Sequence, residues 1–120
     1  MTLHKVNIAE KFGLFDEAWQ PKIVGRVNDH DVRLARLRGS FEWHSHANED
    51  EFFLVIEGRM RMRLRDGEID LEPGEMVIIP RGVEHLPEAD EEALVLLFEP
   101  TGTRNTGEAV TERTVEPEWI

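Results

Sequence analysis

Three histidines and a short acidic run are the side chains of this sequence best suited to chemistry. His44 and His46 stand two residues apart on a predicted strand, so both imidazoles project from the same face. Glu49, Asp50 and Glu51 follow where the next strand opens, beside the histidines. Imidazole and carboxylate groups together bind divalent transition-metal ions. The segment therefore predicts a metal site with one of these three carboxylates as a ligand.

A third histidine completes the candidate ligand set. His85 follows a predicted strand and a tight turn over Pro80, Arg81 and Gly82, which fixes where the imidazole points. The sequence contains no cysteine and no tyrosine, so thiolate ligands, disulfides and a cysteine nucleophile are excluded. Any metal ion must be held by imidazole and carboxylate groups.

The spacing of the two segments resembles the paired motifs of the cupin superfamily. The first segment reads His-x-His, four residues, glutamate, six residues and glycine. The second reads glycine, five residues, proline, one residue, glycine, two residues and histidine. The joint pattern is far more specific than any one part of it. The resemblance covers residues 22 to 100 and selects Glu51 from the three carboxylates.

The resemblance implies both a fold and a cofactor. The fold would be all-β, a double-stranded β-helix of the cupin or jelly-roll type, with a short N-terminal helix. The cofactor would be one divalent transition-metal ion bound by His44, His46, Glu51 and His85. Iron, manganese, nickel, zinc and copper ions all accept these ligands, so the sequence does not identify the metal.

The elements that must position these residues are short strands. The chain has 120 residues, the size of one ordinary domain. From Lys22 onward, period-two alternation of Val, Ile, Leu and Phe, interrupted by Asn-Asp, Asp-Gly and Pro-Gly pairs, predicts an antiparallel barrel or sandwich. The predicted strands are Lys22 to Val27, Asp31 to Arg38, Phe41 to His46, Glu51 to Glu57, Arg59 to Arg65, Glu68 to Leu71, Met76 to Ile79 and Ala93 to Glu99.

The two ends of the chain set the domain organisation. Asn7 stands three positions before Glu10, a capping pattern that predicts a short helix ending near Gly13. We divide the chain into an N-terminal helical segment (1–20), the barrel (21–100) and a loop and tail (101–120). The tail is polar, and we expect Trp119 and Ile120 to be frayed rather than docked on the barrel or on a neighbouring subunit.

One hairpin can be assigned a register. Asp66 and Gly67 predict a two-residue turn between flanking strands that carry alternate charges. The opposite pairs that follow are Arg65 with Glu68, Arg63 with Asp70 and Arg61 with Glu72. The arginines therefore form a solvated ladder of charge pairs rather than an anion-binding surface.

Alternation also predicts the lining of the barrel. The expected inward-facing apolar residues are Phe53, Val55, Met60, Met62, Leu64, Ile69 and Leu71, with Leu97 or Phe98 from the last long strand. Glu42 shares the histidine face, either as an exposed rim acid or as a proton acceptor near the metal, and is the one candidate catalytic residue. His4 and His30 lie outside both motifs and are expected at the surface.

Charge restricts the partners. The net charge of −11 would repel the phosphates of nucleic acids and anionic membranes. No apolar run approaches the length of a membrane span and no apolar leader follows the N-terminus, so a cytoplasmic location is expected. A homodimer with a small-molecule ligand is expected, partly from the family resemblance and partly because Lys22 to Val27 could supply a strand across such an interface.

Two hypotheses for function remain. In the first, the protein is a metal-dependent enzyme of the isomerase, lyase or oxygenase type that acts on a small oxygen-rich molecule. In the second, it is a binding module for a small molecule or a metal, without turnover. Ala89 stands where the family often has an asparagine, so activities that depend on that asparagine are not supported. Fold alone does not decide between the hypotheses.

Overall fold

The computed structural model describes residues 3–120 as one sheet-rich domain with a short N-terminal helix. The elements are α1 (Ile8–Phe12), β1 (Lys22–Val27), β2 (His30–Ser40), β3 (Glu51–Glu57), β4 (Met60–Leu64), β5 (Gly67–Leu71), β6 (Met76–Ile79), β7 (His85–Pro100) and β8 (Glu118–Trp119). The bounds of β1, β3 and β6 agree with the prediction. Within residues 3–120 no helix has the length and apolar character needed to cross a membrane.

The long strand β7 organises the sheet. It pairs antiparallel with β2 over most of its length, with β4 near its start and with β3 near its end. Along its second half, alternate residues Ala93, Val95, Leu97 and Glu99 are buried. The strand order is β5-β4-β7-β2-β1-β8, with β3 paired to β7 and β6 paired to β3, and it folds the predicted strands into the double-stranded arrangement of a cupin barrel.

The core lies between the inward faces of these strands. Phe53, Val55 and Met62 are buried in one cluster that Leu97 completes, as alternation predicts. The prediction is wrong for Ile69, which is 38% exposed. Of the two alternatives on the last long strand, Leu97 faces inward. Phe98 faces the other way and stacks on His30 with ring centroids 5.1 Å apart.

The predicted helix is confirmed and packs outside the barrel. The side chain of Asn7 accepts a hydrogen bond of 3.0 Å from the Glu10 backbone N–H, and the helix is capped at Gly13. Phe12 packs with other apolar residues on the outer face of β1 and β2, including Leu34, which is fully buried. The helix therefore covers one apolar face of the sheet.

The predicted strand from Phe41 to His46 is wrong. The segment is extended, but it makes only an isolated bridge between His44 and His85, and the strand β7 instead begins at His85. The spacing of two residues still turns His44 and His46 towards the same site. The sequence did not predict the first half of β7, because several charged residues interrupt the apolar alternation between His85 and Glu92.

The register of the β4–β5 hairpin also differs from the prediction. Leu64 pairs with Gly67, so the two-residue turn is Arg65 and Asp66, and Arg61 faces Asp70. A slip of two residues leaves every side chain on its original face, so hydrophobic alternation cannot distinguish the two registers. None of the turn residues adopts a positive φ, and the mirror-image turn that Asp-Gly favours is therefore not used.

The charge ladder persists in a changed form. Arg61 forms ion pairs with Glu88 and Asp90 of β7 as well as with Glu68 of β5. Arg65 pairs with Glu84. Because β4 lies between β5 and β7, its arginines find acidic partners on both sides, and they remain a surface network.

The C-terminal tail is docked rather than frayed. Glu118 and Trp119 form β8, which pairs parallel with Lys22 and Ile23 of β1. The Ile120 backbone N–H donates to the Ile23 carbonyl over 3.1 Å. The polar composition of the tail concealed this, because the tail docks partly through hydrogen bonds, including that of Ile120 N–H and that of Arg113 to the Ser40 carbonyl.

Candidate metal centre

His44 and His85 are fixed by a matching set of backbone contacts. The two residues exchange backbone hydrogen bonds of 3.1 Å and 2.9 Å across their bridge. Each ring also uses its Nδ1 in a 2.9 Å hydrogen bond to a carbonyl two residues earlier, that of Glu42 for His44 and that of Val83 for His85. Nδ1 must carry the proton to donate in these bonds, so Nε2 of both rings has the lone pair that a metal ligand needs.

Glu51 and His46 complete the cluster. Glu51 opens β3, and its Oε1 lies 3.2 Å from Nε2 of His85 and 3.3 Å from Nε2 of His46. One ligand atom from each of His44, His46, Glu51 and His85 lies within 4.8 Å of all the others. All four residues are buried. The structure thus brings together the four residues that the sequence predicts as ligands.

Asp50, next to Glu51, has another role. The Asp50 carboxylate accepts a 2.9 Å hydrogen bond from the Arg81 backbone N–H and so fastens the Pro-x-Gly turn to the start of β3. Gly82 in the same turn donates its N–H to the His46 carbonyl over 2.7 Å. These two bonds hold both motifs against each other, and Glu51 is left as the carboxylate of the cluster.

The donor set suits a divalent metal ion. Both ring nitrogens of His46 are buried without a hydrogen-bond partner within residues 3–120, since Glu51 lies outside hydrogen-bonding geometry. A buried polar group without a partner is costly. A metal ion at the centre of the cluster would satisfy His46 and the free nitrogens of the other two imidazoles. Four ligands without thiolate leave coordination positions open for a small molecule.

Burial and charge set the protonation of the ligands. Burial, together with the nearby His85, lowers the pKa of His44 to about 4. Burial alone would lower the pKa of His46, but the adjacent Glu51 carboxylate outweighs it, so the pKa of His46 is raised. Burial would raise the pKa of Glu51, but contacts with His46 and His85 outweigh it and hold that pKa well below its usual range. At neutral pH, His44 is therefore deprotonated and Glu51 is ionised, and these are the forms that bind a metal ion.

Glu99 is a functional candidate that the sequence reasoning missed. It is 2% exposed, its Oε2 has no hydrogen-bond partner within residues 3–120, and it lies beside Glu51 because Phe98 of β7 pairs with Phe52 of β3. Burial and the charge of Glu51 raise the pKa of Glu99 well above its usual range. Alternation from Leu97 places position 99 inside the barrel, and this was the sequence pattern that could have identified it.

A buried arginine supports Glu99 from behind. Arg33 donates to Glu99 over 3.0 Å, to the Thr103 carbonyl over 2.9 Å and to Asp31 over 3.1 Å. Arg33 and both acids are no more than 2% exposed. This network anchors the wall of the metal centre to the loop that follows β7.

The C-terminal tail forms a second support. The Glu108 backbone N–H donates to the Ser45 carbonyl over 3.0 Å, and Gly107 lies against the same peptide. Farther along, the hydroxyl of Thr111 donates to the Glu42 carboxylate over 2.9 Å. The tail therefore runs beside the whole His-x-His segment and contacts the residues that flank both ligands.

A pocket opens beside two of the four clustered residues, His44 and Glu51, which form part of its wall. Its cavity volume is about 40 Å³, and it is partly open to solvent. Trp19, Phe41 and Glu99 also line it. A molecule in this pocket would reach the open side of the metal centre.

Fold and site together define a family. The match to the cupin domain covers residues 31–99, more than half of the chain. The protein belongs to the cupin family.

Known relatives agree with this assignment. Among solved structures, a cupin-2 domain containing protein from Shewanella frigidimarina NCIMB 400 is 43% identical, with a TM-score of 0.78 over 79% of this chain and 93% of that one. Protein NMB1881 from Neisseria meningitidis is 28% identical, with a TM-score of 0.75 over 82% of this chain and all of that one. The uncharacterized protein YdbB of Bacillus subtilis is 40% identical over 63 residues, which are 52% of this chain and 56% of YdbB.

Proposed function

We propose that the protein is a metal-dependent enzyme that binds one divalent transition-metal ion through His44, His46, Glu51 and His85. The observation that carries this proposal is the pair of unpartnered, buried nitrogens of His46 at the centre of a four-residue cluster. Without an ion, the cluster would leave several polar atoms desolvated at a net cost. Iron, manganese, nickel, zinc and copper ions all suit this ligand set.

The reaction is of the isomerase, lyase or oxygenase type and acts on a small molecule that offers oxygen atoms to the ion. A bound metal ion supplies Lewis-acid polarisation of such an oxygen. His44 and His85 hold their ligand nitrogens in place through the carbonyls of Glu42 and Val83. The pocket beside His44 and Glu51 supplies the space for the small molecule.

Two carboxyl groups are candidates for proton transfer. Glu42 was predicted from the sequence, but its carboxylate accepts a hydrogen bond from Thr111 and it does not line the pocket within residues 3–120. Glu99 lines the pocket together with Glu51. We assign the proton-handling role to Glu99, and Glu42 remains a prediction tested by comparing the Glu42→Gln and Glu99→Gln variants at equal metal content.

Elemental analysis of the purified protein tests the metal centre. We expect close to one transition-metal ion per chain, and loss of that ion in His44→Ala and in His85→Ala. His4→Ala is the matched control, because His4 is exposed and lies far from both motifs in the sequence. A metal-free wild type that takes up no ion on reconstitution would refute the proposal.

Turnover distinguishes the enzyme from a binding module. Tight binding of a small molecule with no chemical change in any metal form would favour the module. Substrate conversion that requires the metal, and that His46→Ala abolishes, would establish the enzyme.

The protein also has a surface suited to self-association. Met76 and Ile78 on the edge strand β6 are 48% and 52% exposed, and Ile56 on the neighbouring β3 is 39% exposed. Exposed apolar residues on an edge strand favour pairing with another chain. We place the dimer interface at β6 rather than at β1, because the chain's own β8 already pairs with Lys22 and Ile23.

A further inference from the structure

The pocket beside the metal centre is apolar and lacks basic side chains. Eight of its twelve lining residues are Trp, Phe, Leu, Ala or Pro, among them Trp19, Leu37, Phe41 and Phe53. Its polar residues are His44, Glu51, Glu99 and Asn105. Among the described residues that line it, none is lysine or arginine. A pocket for a phosphorylated or carboxylated substrate would be expected to offer a cation.

The charges around the pocket disfavour anions further. Glu51 and Glu99 are both buried at its wall. Arg33 lies behind Glu99 and is engaged by Glu99 and Asp31, and the Arg113 guanidinium lies over the Phe41 ring, 5.4 Å from its centroid, without being among the lining residues. Apart from the metal ion, the described residues that line the pocket therefore offer no ammonium or guanidinium group to balance an anionic group of a ligand.

Two aromatic rings form one wall of the pocket. Trp19 and Phe41 stack with ring centroids 4.9 Å apart, and the edge of Phe41 meets His44 with centroids 5.4 Å apart. The three rings thus lead from the mouth of the pocket to a metal ligand. Flat apolar groups pack well against such a wall.

Trp19 is held in this position against its backbone preference. Its φ of 63° lies in the left-handed region, which bulky residues rarely adopt. The Trp19 backbone N–H donates to the Arg36 carbonyl over 2.9 Å, and its indole N–H donates to the Arg38 carbonyl over 2.8 Å. Strained backbone of this kind persists where the surroundings over-determine it, which is frequent at ligand sites.

From these observations we infer that the substrate is an uncharged molecule with a flat hydrocarbon ring and an oxygen pair that reaches the metal, rather than a sugar phosphate or a carboxylic acid. This inference rests on the proposed metal function. The apolar wall would favour a flat ring, which packs on Trp19 and Phe41, while the oxygens face His44 and Glu51. The lack of lysine and arginine among the lining residues would disfavour an anionic substrate.

Three probes that share an oxygen pair test the inference on the zinc-loaded, dialysed protein. Catechol has a neutral ring, 3,4-dihydroxybenzoate adds a carboxylate to the same ring, and hydroxyacetone is neutral without a ring. Zinc avoids redox chemistry, and binding is measured by calorimetry. We expect catechol to bind at least about tenfold more tightly than either of the other probes.

Variants then locate the ring. Trp19→Ala should weaken catechol at least about tenfold and leave hydroxyacetone unchanged. Trp43→Ala is the matched control, since Trp43 packs against Arg65 at 3.9 Å from its ring centroid and does not line the pocket. If Trp19→Ala does not fold, Ala35→Val is the second variant, because Ala35 lines the pocket and a larger side chain narrows it.

The outcomes separate this inference from the proposed function. Equal affinity for catechol and 3,4-dihydroxybenzoate, or for catechol and hydroxyacetone, would overturn the inference. Stoichiometric zinc with no binding of catechol would also overturn it while the metal centre stands. Failure to take up zinc would refute the proposed function itself, and the inference with it.

Discussion

A substitution at Gly107 tests whether the C-terminal tail positions the histidine ligands. Gly107 adopts a φ of +70°, and a Cβ placed on it would lie 2.2 Å from the Ser45 carbonyl oxygen. Ser45 stands between His44 and His46, so its peptide cannot move away without moving the two ligands. Gly102 in the same tail is the matched control, because its φ is +88° but a Cβ there would meet nothing within 4 Å.

The magnitude follows from separating two effects. Alanine in the left-handed region costs about 1–2 kcal/mol, and both Gly102→Ala and Gly107→Ala carry this cost. Only Gly107→Ala adds the cost of overpacking against backbone, about 1–3 kcal/mol. Displacement of the Ser45 peptide should also weaken metal binding by about 10–100-fold, the usual effect of disturbing groups that orient metal ligands.

Urea unfolding and a competition assay with a chromophoric zinc chelator measure the two effects. The free energy of unfolding should fall by about 1–2 kcal/mol in Gly102→Ala and by roughly 2–5 kcal/mol in Gly107→Ala. Zinc affinity should change only in Gly107→Ala. Two variants with equal unfolding free energies and equal zinc affinities would refute the reasoning, because the clash with Ser45 would then have no consequence.

Three further predictions concern charge and assembly. In metal-free protein, His44 has a pKa of about 4 against an ordinary 6.5, so the unfolded chain takes up a proton at higher pH than the folded protein does. The free energy of unfolding therefore falls by about 3 kcal/mol as pH drops from 6.5 to 4. Urea titrations should show a smaller loss in His44→Gln, and identical profiles would contradict this. Arg33→Met leaves two buried carboxyl groups without their cation and should lower the free energy of unfolding by about 3–5 kcal/mol. Arg61→Met at the surface should lower it by less than about 1 kcal/mol in the same assay. Equal losses in the two variants would count against a buried network. Sedimentation should give a dimer that Ile78→Arg dissociates, and a monomeric wild type at micromolar concentration would contradict the interface at β6.

Much of the fold could be predicted because local patterns carried it. The bounds of β3, Glu51–Glu57, agree with the prediction, because its alternating residues lie between a polar loop and a glycine-containing turn. The hairpin register could not be predicted in the same way, since registers two residues apart present the same faces. Here the pairing of β4 with β7 accompanies the observed register, with Leu64 opposite His85, and such a long-range contact cannot be read from the hairpin alone.

The ligand set of the candidate site was predictable and its surroundings were not. Motif spacing predicted the four residues that the structure brings together as a group able to bind a metal, because two short segments supply them. Glu99 and Trp19 approach the site from β7 and from the segment before β1, and neither carries a motif. Their importance follows from register and from the stacking of Trp19 on Phe41, which only the folded chain reveals.

One side of the candidate metal centre holds the predicted ligands in place, and the other side would select the substrate. On one side, Arg33 fixes Glu99 to the loop after β7, so the pocket wall beside Glu51 holds a buried, hydrogen-bonded carboxyl group. On the other side, Trp19 and Phe41 offer apolar surface next to His44. Buried charge pairs contribute little net stability compared with apolar packing. Their presence beside Glu51 is therefore better explained by the need to orient a ligand carboxylate than by the need to stabilise the barrel.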